Sequence, residues 1–177
     1  MRRILFFSLL LCVTAGLAAQ NTNPVVEAKV VPGADGVYPN SSTKIGVVAQ
    51  VAAGFHINDH KPTLDYLIPT DLKLEPSNEI SVEKLVYPKG EPVKFAFSDV
   101  ALSVYQGTVG LGAILKVGRT AAPGAYTIKG KLAYQACNDH ACLPPSSVPL
   151  TLTLKVVPRS TPVKSLNSDV INRIQFD

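Results

Sequence analysis

The chain has 177 residues, three cysteines and a formal net charge of +4 at pH 7. Its lysines and arginines form no cluster, which argues against nucleic-acid binding as its function. Beyond the N-terminal segment no apolar run approaches the roughly 20 residues of a membrane-spanning helix, so we expect a soluble or peripheral protein.

Residues 1–19 are predicted to be a cleaved signal peptide. Arg2 and Arg3 precede an uncharged apolar core over residues 4–13, and the small residues that follow the core suit cleavage. Cys12 lies inside this core, so it belongs to the segment that is removed. Two cysteines remain in the mature protein, which we expect to lie outside the cytoplasm, where disulfides form.

Short β-branched or alternating segments separated by turn residues predict an all-β fold. The fourteen prolines and twelve glycines have the spacing that turns between strands require. Residues 72–75 and 80–87 are expected to pair with each other across a turn. The predicted strands are residues 25–31, 44–51, 72–75, 80–87, 94–97, 104–117, 126–136 and 148–157. About seven to nine such strands favour an immunoglobulin-like antiparallel β-sandwich.

The predicted organisation is one β-sandwich domain over residues 24–157, followed by a flexible C-terminal tail over residues 158–177. The tail is rich in serine and asparagine and has only a weak helical pattern. The chain contains no tryptophan, so the sandwich lacks the Cys…Trp…Cys core of antibody domains. The fold prediction therefore depends on the strand pattern.

The segment from Cys137 to Cys142 is the most informative part of the chain. Strand-like segments enter and leave it, which places the two cysteines at the neck of a hairpin, within reach of a disulfide. A structural staple is one interpretation, although closing so short a loop stabilises the fold by only about 2 kcal/mol. Reversible thiol–disulfide exchange is another. The loop is polar, and protonated His140 would favour a neighbouring thiolate while Asp139 would oppose it.

Metal binding is a third interpretation of the same segment. Cys137, His140 and Cys142 are ligands of the kind that zinc or copper(I) prefers, and His56 or His60 would complete the set. The spacing matches no established zinc pattern, and the two distant histidines are expected to lie in surface loops. We therefore expect no bound metal or other cofactor.

The segment from Tyr134 to Pro145, YQACNDHACLPP, resembles the cysteine motif of the N-terminal periplasmic domain of the DsbD family of thiol–disulfide interchange proteins. Weaker blocks that support the resemblance are residues 54–58, 66–70, 87–88 and 95–98. The similarity runs in order from about residue 25 to residue 157, which is nearly the whole mature chain.

This resemblance implies a periplasmic, immunoglobulin-like domain with a redox-active pair, Cys137 and Cys142. It implies that Cys142 exchanges with partners and that Cys137 resolves the mixed disulfide. A cap loop near residues 95–100, with Phe97 as its shielding ring, would cover the pair until a partner docks. For Phe95, ordinary core packing is expected. The residues expected to support the site are Tyr134, Gln135, His140, Pro144 and Phe97.

In the DsbD family this domain takes electrons from a thioredoxin-like domain and passes them to periplasmic acceptors, including disulfide isomerases and cytochrome c maturation proteins. The expected partners are therefore thioredoxin-like periplasmic proteins or domains, bound by a monomer. The chain ends before the membrane and thioredoxin-like domains of that family. We therefore expect either that a separate membrane electron carrier reduces it, or that it is a free-standing shuttle, or that it has kept the fold for another use. The alternative is a non-catalytic immunoglobulin-like binding module with a structural hairpin disulfide.

Overall fold

Antiparallel strands make up almost all of the regular structure in the computed structural model, which describes residues 24–176. The predicted signal peptide over residues 1–19 lies outside these residues. No helix in the described part is long and apolar enough to cross a bilayer. The elements are β1 (Val26–Pro32), β2 (Ser42–Val51), β3 (His56–Asn58), β4 (Asp71–Glu75), β5 (Ile80–Val86), β6 (Glu91–Val93), β7 (Leu102–Tyr105), β8 (Thr108–Val117), β9 (Gly124–Tyr134), β10 (Ala136–Cys137), β11 (Ser146–Val156) and α1 (Ser168–Ile171).

Two sheets face each other across the main core. The strand order is β1-β2-β8-β5 in the first sheet and β11-β9-β4 in the second, and every pairing is antiparallel. Along β11, Leu150, Leu152, Leu154 and Val156 are buried, whereas the residues between them are exposed. This alternation turns one face of the strand into the core, and the arrangement confirms the all-β, immunoglobulin-like sandwich.

A third, smaller sheet with the order β10-β3-β7-β6 carries the cysteine pair. Ile57 of β3 opposes Ala136 of β10, and both side chains belong to the main core. His56 opposes Cys137 in the same pair of strands. Because neighbouring side chains in a strand point to opposite faces, His56 and Cys137 lie together on the face turned away from the main core.

One predicted strand pairing and the bounds of one long predicted strand differ from the structure. The expected pairing of residues 72–75 with 80–87 is wrong, because the connection between β4 and β5 crosses from the second sheet to the first. β4 pairs with β9, and β5 pairs with β8. The predicted strand over residues 104–117 divides into β7 and β8 at Gly107, whose φ of 59° is left-handed and interrupts the extended chain.

The C-terminal segment packs against the first sheet, which differs from the predicted flexible tail. Ile171, Ile174 and Phe176 are buried and form a cluster with Val86 of β5. Gly112 of β8 makes room for them, since a Cβ at that position would lie 2.8 Å from side-chain atoms of Ile174 and Phe176. The polar composition of the segment concealed this contact, because only a few apolar residues, Ile171, Ile174 and Phe176 among them, form it.

Phe176→Ala is expected to lower the free energy of unfolding by about 3 kcal/mol, because it removes a buried ring from the contact with the first sheet. Urea unfolding measures the change. Leu166→Ala, at an exposed position of the same segment, is the control and is expected to cost less than about 0.5 kcal/mol. Equally small effects of the two substitutions would contradict a packed C-terminal segment.

Candidate functional site

The disulfide between Cys137 and Cys142 closes a tight hairpin at the end of β10. Its sulfurs are 2.01 Å apart, and the two Cα atoms are 3.9 Å apart. The Leu143 N–H donates to the Ala136 carbonyl at 2.8 Å, and the two cysteines form an isolated antiparallel bridge. The predicted position of the pair at the neck of a hairpin is therefore confirmed.

Asn138 organises the turn between the two cysteines. Its side-chain oxygen accepts hydrogen bonds from the backbone N–H groups of His140 and Ala141, both at 2.9 Å. Its own N–H donates to the Ala141 carbonyl at 3.0 Å. Asparagine favours such turns because its side chain takes the place of a backbone acceptor, a signal that the interpretation as a polar loop missed. These hydrogen bonds are made by the backbone and by Asn138 and do not involve the two sulfurs.

The two cysteines differ in accessibility. Cys137 is 1% exposed, whereas Cys142 is exposed to solvent. The rate of thiol–disulfide exchange depends on access to the sulfur that is attacked. As a whole residue, Cys142 is therefore accessible from solvent and Cys137 is sheltered from it.

A stack of three rings begins at the residue opposite Cys137. The rings of His56 and Phe95 have centroids 4.2 Å apart, and those of Phe95 and Phe97 are 5.2 Å apart. Phe95 is buried, as expected, and Phe97 is the outer ring with half of its surface exposed. The prediction that His56 lies in a surface loop is wrong, because it forms the start of β3 and is only 2% exposed.

Residues 94–97, predicted to be a strand, form a loop after β6. The chain turns where the Ser98 N–H donates to the Phe95 carbonyl at 3.2 Å. This turn separates the buried Phe95 ring from the exposed Phe97 ring. The segment that the resemblance marks as a cap loop is thus anchored by Phe95 on the sheet that carries the disulfide.

The other residues predicted to support the site occupy different environments. Tyr134 is buried in the main core, so it stabilises the strand that leads into the hairpin. The side-chain nitrogen of Gln135 donates to the Leu143 carbonyl at 3.2 Å, which joins the two sides of the hairpin. His140 and Pro144 are exposed.

The alternative metal site is not assembled in the described residues, where Cys137 and Cys142 are joined in a disulfide and His56 is the one histidine of the proposed set that lies opposite Cys137. Residues 24–176 contain no group of three or more histidine, cysteine, aspartate or glutamate side chains that could hold a metal ion. His140 lies exposed in the turn. His60 stacks on Tyr87, with ring centroids 3.6 Å apart, rather than beside the cysteines.

Asp59, which the sequence analysis did not single out, fixes the loop after β3. It accepts hydrogen bonds from the Tyr105 hydroxyl at 2.6 Å, the Ser103 hydroxyl at 2.7 Å, and the Lys61 and Gly90 N–H groups at 3.2 Å. Burial opposes ionisation, but these hydrogen bonds outweigh it, so the pKa of Asp59 lies below its usual value. The pKa of Tyr105 is raised, first by burial and second by its hydrogen bond to Asp59.

Asp59→Asn is expected to lower the free energy of unfolding at pH 7 by about 2 kcal/mol, because the amide keeps one accepting oxygen and its NH2 group faces donors whose hydrogen bonds the second carboxylate oxygen accepts in the wild type. In the wild-type protein this stability is present above about pH 4 and is lost as the pH falls through the depressed pKa of Asp59. The variant should therefore lose less stability on acidification. Urea midpoints measured between neutral and acidic pH test this, and parallel pH curves would contradict it.

Comparison with known proteins identifies the family. The family model described as "Thiol:disulfide interchange protein DsbD, N-terminal" matches residues 25–153. The chain belongs to this family. The resemblance inferred from residues 134–145 is thereby confirmed. None of the curated proteins compared with the chain matches it.

Three similar solved structures accompany the family match. The N-terminal periplasmic domain of ScsB from Proteus mirabilis is 15% identical with a TM-score of 0.52, over 83% of this chain and 51% of that one. The reduced DsbD N-terminal domain from Neisseria meningitidis is 18% identical with a TM-score of 0.44, over 77% of this chain and 89% of that one. The complex between the DsbD N-terminal and PilB N-terminal domains, also from Neisseria meningitidis, is 20% identical with a TM-score of 0.41, over 69% of this chain and 80% of that one. The ScsB likeness supports the sandwich fold.

Proposed function

We propose that this DsbD-family domain is a periplasmic thiol–disulfide exchange module that relays electrons through Cys137 and Cys142. The observation that carries the proposal is their unequal exposure, since Cys142 is exposed and Cys137 is 1% exposed. A relay needs one sulfur that partners can attack and a bonded second sulfur that they cannot. Membership of the family over residues 25–153 supports the same chemistry.

In the electron-accepting half of the cycle, a donor thiolate attacks the Cys142 sulfur. The bond between donor and Cys142 forms, the bond between Cys142 and Cys137 breaks, and Cys137 leaves with the electron pair as a thiolate. A second donor thiolate then attacks the donor's bonded sulfur and releases Cys142. The donor becomes a disulfide and the domain a dithiol, so two electrons are transferred.

In the electron-donating half, the Cys142 thiolate attacks one sulfur of an acceptor disulfide and expels the other as a thiolate. The Cys137 thiolate then attacks the Cys142 sulfur and restores the internal disulfide. The acceptor leaves with its second sulfur as a thiolate, and both of its thiolates take up protons. Cys142 is thus the exchanging sulfur and Cys137 the resolving one.

The hydrogen bonds of the hairpin argue against a purely structural disulfide. The bonds of Asn138 to the turn and the bond from Leu143 to Ala136 already hold the two sides together. Closing a loop this short adds only about 2 kcal/mol in the loop-closure model. Because these hydrogen bonds do not involve the sulfurs, we expect the bond to open and close with little rearrangement of the hairpin.

Exposed apolar side chains suit a protein partner. Leu143 follows Cys142 directly and is 37% exposed. Phe97, the outer ring of the stack that begins at His56, and Val100 lie exposed in the loop after β6. Exposed apolar side chains favour contact with another protein. We propose thioredoxin-like periplasmic proteins or domains as partners, with a separate membrane electron carrier as a further candidate donor. Disulfide isomerases and cytochrome c maturation proteins are the proposed acceptors.

The proposed periplasmic location rests on two observations. Residues 1–19 have the pattern of a cleaved signal peptide. The similar domain of ScsB is described as periplasmic. N-terminal sequencing of the protein from a periplasmic extract tests the location and the cleavage together.

Reduction by thioredoxin tests the function. The oxidised protein is mixed with reduced thioredoxin under native conditions, then quenched in denaturant that contains an alkylating agent, so that the buried cysteine also reacts, and analysed by mass spectrometry. We expect both Cys137 and Cys142 to be alkylated after minutes of reaction. In a non-catalytic binding module with a structural disulfide, the bond would stay intact and both cysteines unmodified, and that result would overturn the proposal.

A further inference from the structure

His56 is the ionisable side chain placed directly against the sheltered cysteine. It is the cross-strand partner of Cys137 in the pairing of β3 with β10. Directly opposed side chains share a face of the sheet, with Cβ atoms about 4.5–5.5 Å apart. Both residues are almost completely buried, at 2% and 1% exposure. The imidazole and the resolving sulfur therefore occupy one water-poor compartment.

The imidazole of His56 has an unused hydrogen-bonding atom. Its Nε2 is buried and has no hydrogen-bond partner. A buried polar atom without a partner costs about 1–3 kcal/mol, so its retention points to a partner that is present in another state of the protein. In the disulfide form, Cys137 has no S–H to donate. Reduction creates an S–H on the neighbouring residue.

The charges around His56 leave it neutral before reaction. Burial lowers the pKa of His56, and the negative charge of Asp139 in the hairpin turn partly opposes this. The loop after β6 contributes the uncharged ring of Phe95. β7 contributes the apolar Val104 next to β3. A neutral imidazole can accept a proton, and Asp139 stabilises the imidazolium that results.

The resolving step needs such a proton acceptor. An ordinary cysteine thiol has a pKa of about 8.5, so only about 3% is thiolate at pH 7, and burial lowers that fraction further. Cys137 is buried away from solvent bases. Without a neighbouring base, the attack of Cys137 on the mixed disulfide would be slow at pH 7.

Building on the exchange function proposed above, we infer that His56 accepts the proton of the Cys137 thiol in the resolving step. The proton moves from the Cys137 sulfur to the imidazole, and the thiolate attacks the Cys142 sulfur of the mixed disulfide. The bond between Cys137 and Cys142 forms while the acceptor sulfur leaves with the bonding electron pair. The proton held by His56 then passes to that thiolate. No reactant beyond the acceptor disulfide is consumed.

A coloured aromatic disulfide, dithiobis(nitrobenzoic acid), separates this step from the first attack. The reduced protein releases one coloured thiolate when Cys142 attacks the probe, at a rate that rises with probe concentration. It releases a second when Cys137 resolves the mixed disulfide, at a rate independent of concentration. Stopped-flow absorbance follows both phases between about pH 5 and pH 9.

His56→Phe is the informative variant, because it keeps an aromatic ring against Phe95 and cannot accept a proton. We expect its second phase to be about tenfold slower than that of the wild type at pH 7, and the difference to narrow towards pH 9, because a larger fraction of the thiol is ionised there without a base. The first phase should change less than about twofold. His56→Gln provides the same test without the ring, should the phenylalanine variant fold poorly.

His60→Phe is the matched control, since His60 lies four residues away in a different ring stack, and both of its phases should match the wild type. An unchanged second phase in both His56 variants would overturn the inference. A slowing that is equal at every pH would also overturn it, because that result indicates displaced geometry rather than proton transfer. A wild-type protein with no second phase would instead overturn the proposed exchange function itself.

Discussion

Cys142→Ser is expected to slow the reaction of the reduced protein with an acceptor disulfide by at least about a thousandfold. The substitution removes the exposed nucleophile, and the remaining sulfur of the pair belongs to Cys137, which is 1% exposed. The reaction is measured by mixing reduced protein with an oxidised thioredoxin-like domain, quenching with an alkylating agent and following the loss of the acceptor's disulfide by mass spectrometry. With the aromatic disulfide as acceptor, the rate of the corresponding first attack is followed by absorbance.

Cys137→Ser is the matched control for this experiment. It removes the sheltered sulfur and keeps the exposed one, so its first attack on the probe should stay within about threefold of the wild-type rate. Retained attack in Cys142→Ser together with lost attack in Cys137→Ser would reverse the roles of the two cysteines. Both variants lose the disulfide equally, so a difference between them reports access rather than stability.

Cys137→Ala is expected to accumulate mixed disulfides with partner proteins, at least about tenfold above the wild-type level. The Cys142 thiolate still attacks the partner's disulfide, but no internal sulfur is present to displace the partner. Non-reducing electrophoresis of periplasmic extracts detects the complexes, which should collapse on addition of a reductant. Mass spectrometry of the complexes should place the intermolecular bond on Cys142.

The double variant Cys137→Ala/Cys142→Ala is the control for trapping, and it should form no covalent complexes. The same band pattern in the single and double variants would show that the complexes form by another route. An absence of complexes with Cys137→Ala would contradict exchange through Cys142. The captured partners also test whether thioredoxin-like proteins are the ones that dock.

The sequence predicts the sandwich well where the strands are long and alternate. The burial pattern of β11 follows directly from leucines at every second position, since they face one core. The pairing of the strands is harder to predict than the strands themselves, because it depends on which sheet each connection enters. β4 and β5 are separated by a short turn-like segment, yet they belong to opposing sheets. Nothing in the residues of that segment distinguishes a hairpin from a crossing.

The cysteine site could be located from the sequence, but the residues that surround it could not all be predicted. The spacing of Cys137 and Cys142 between strands predicts the hairpin, and the surrounding motif predicts the family. The position of His56 could not be predicted, because it depends on the register that sets β3 against β10. The same holds for Asp59, whose partners come from segments far away along the chain.

The reduction potential of the Cys137–Cys142 pair tests the central claim most directly. Equilibration of the protein in glutathione redox buffers, followed by alkylation and mass spectrometry, gives the potential. The proposed relay predicts a value between about −120 and −270 mV, the range of the thioredoxin-like proteins that exchange disulfides. A value below about −300 mV would mark an inert structural bond and contradict the relay.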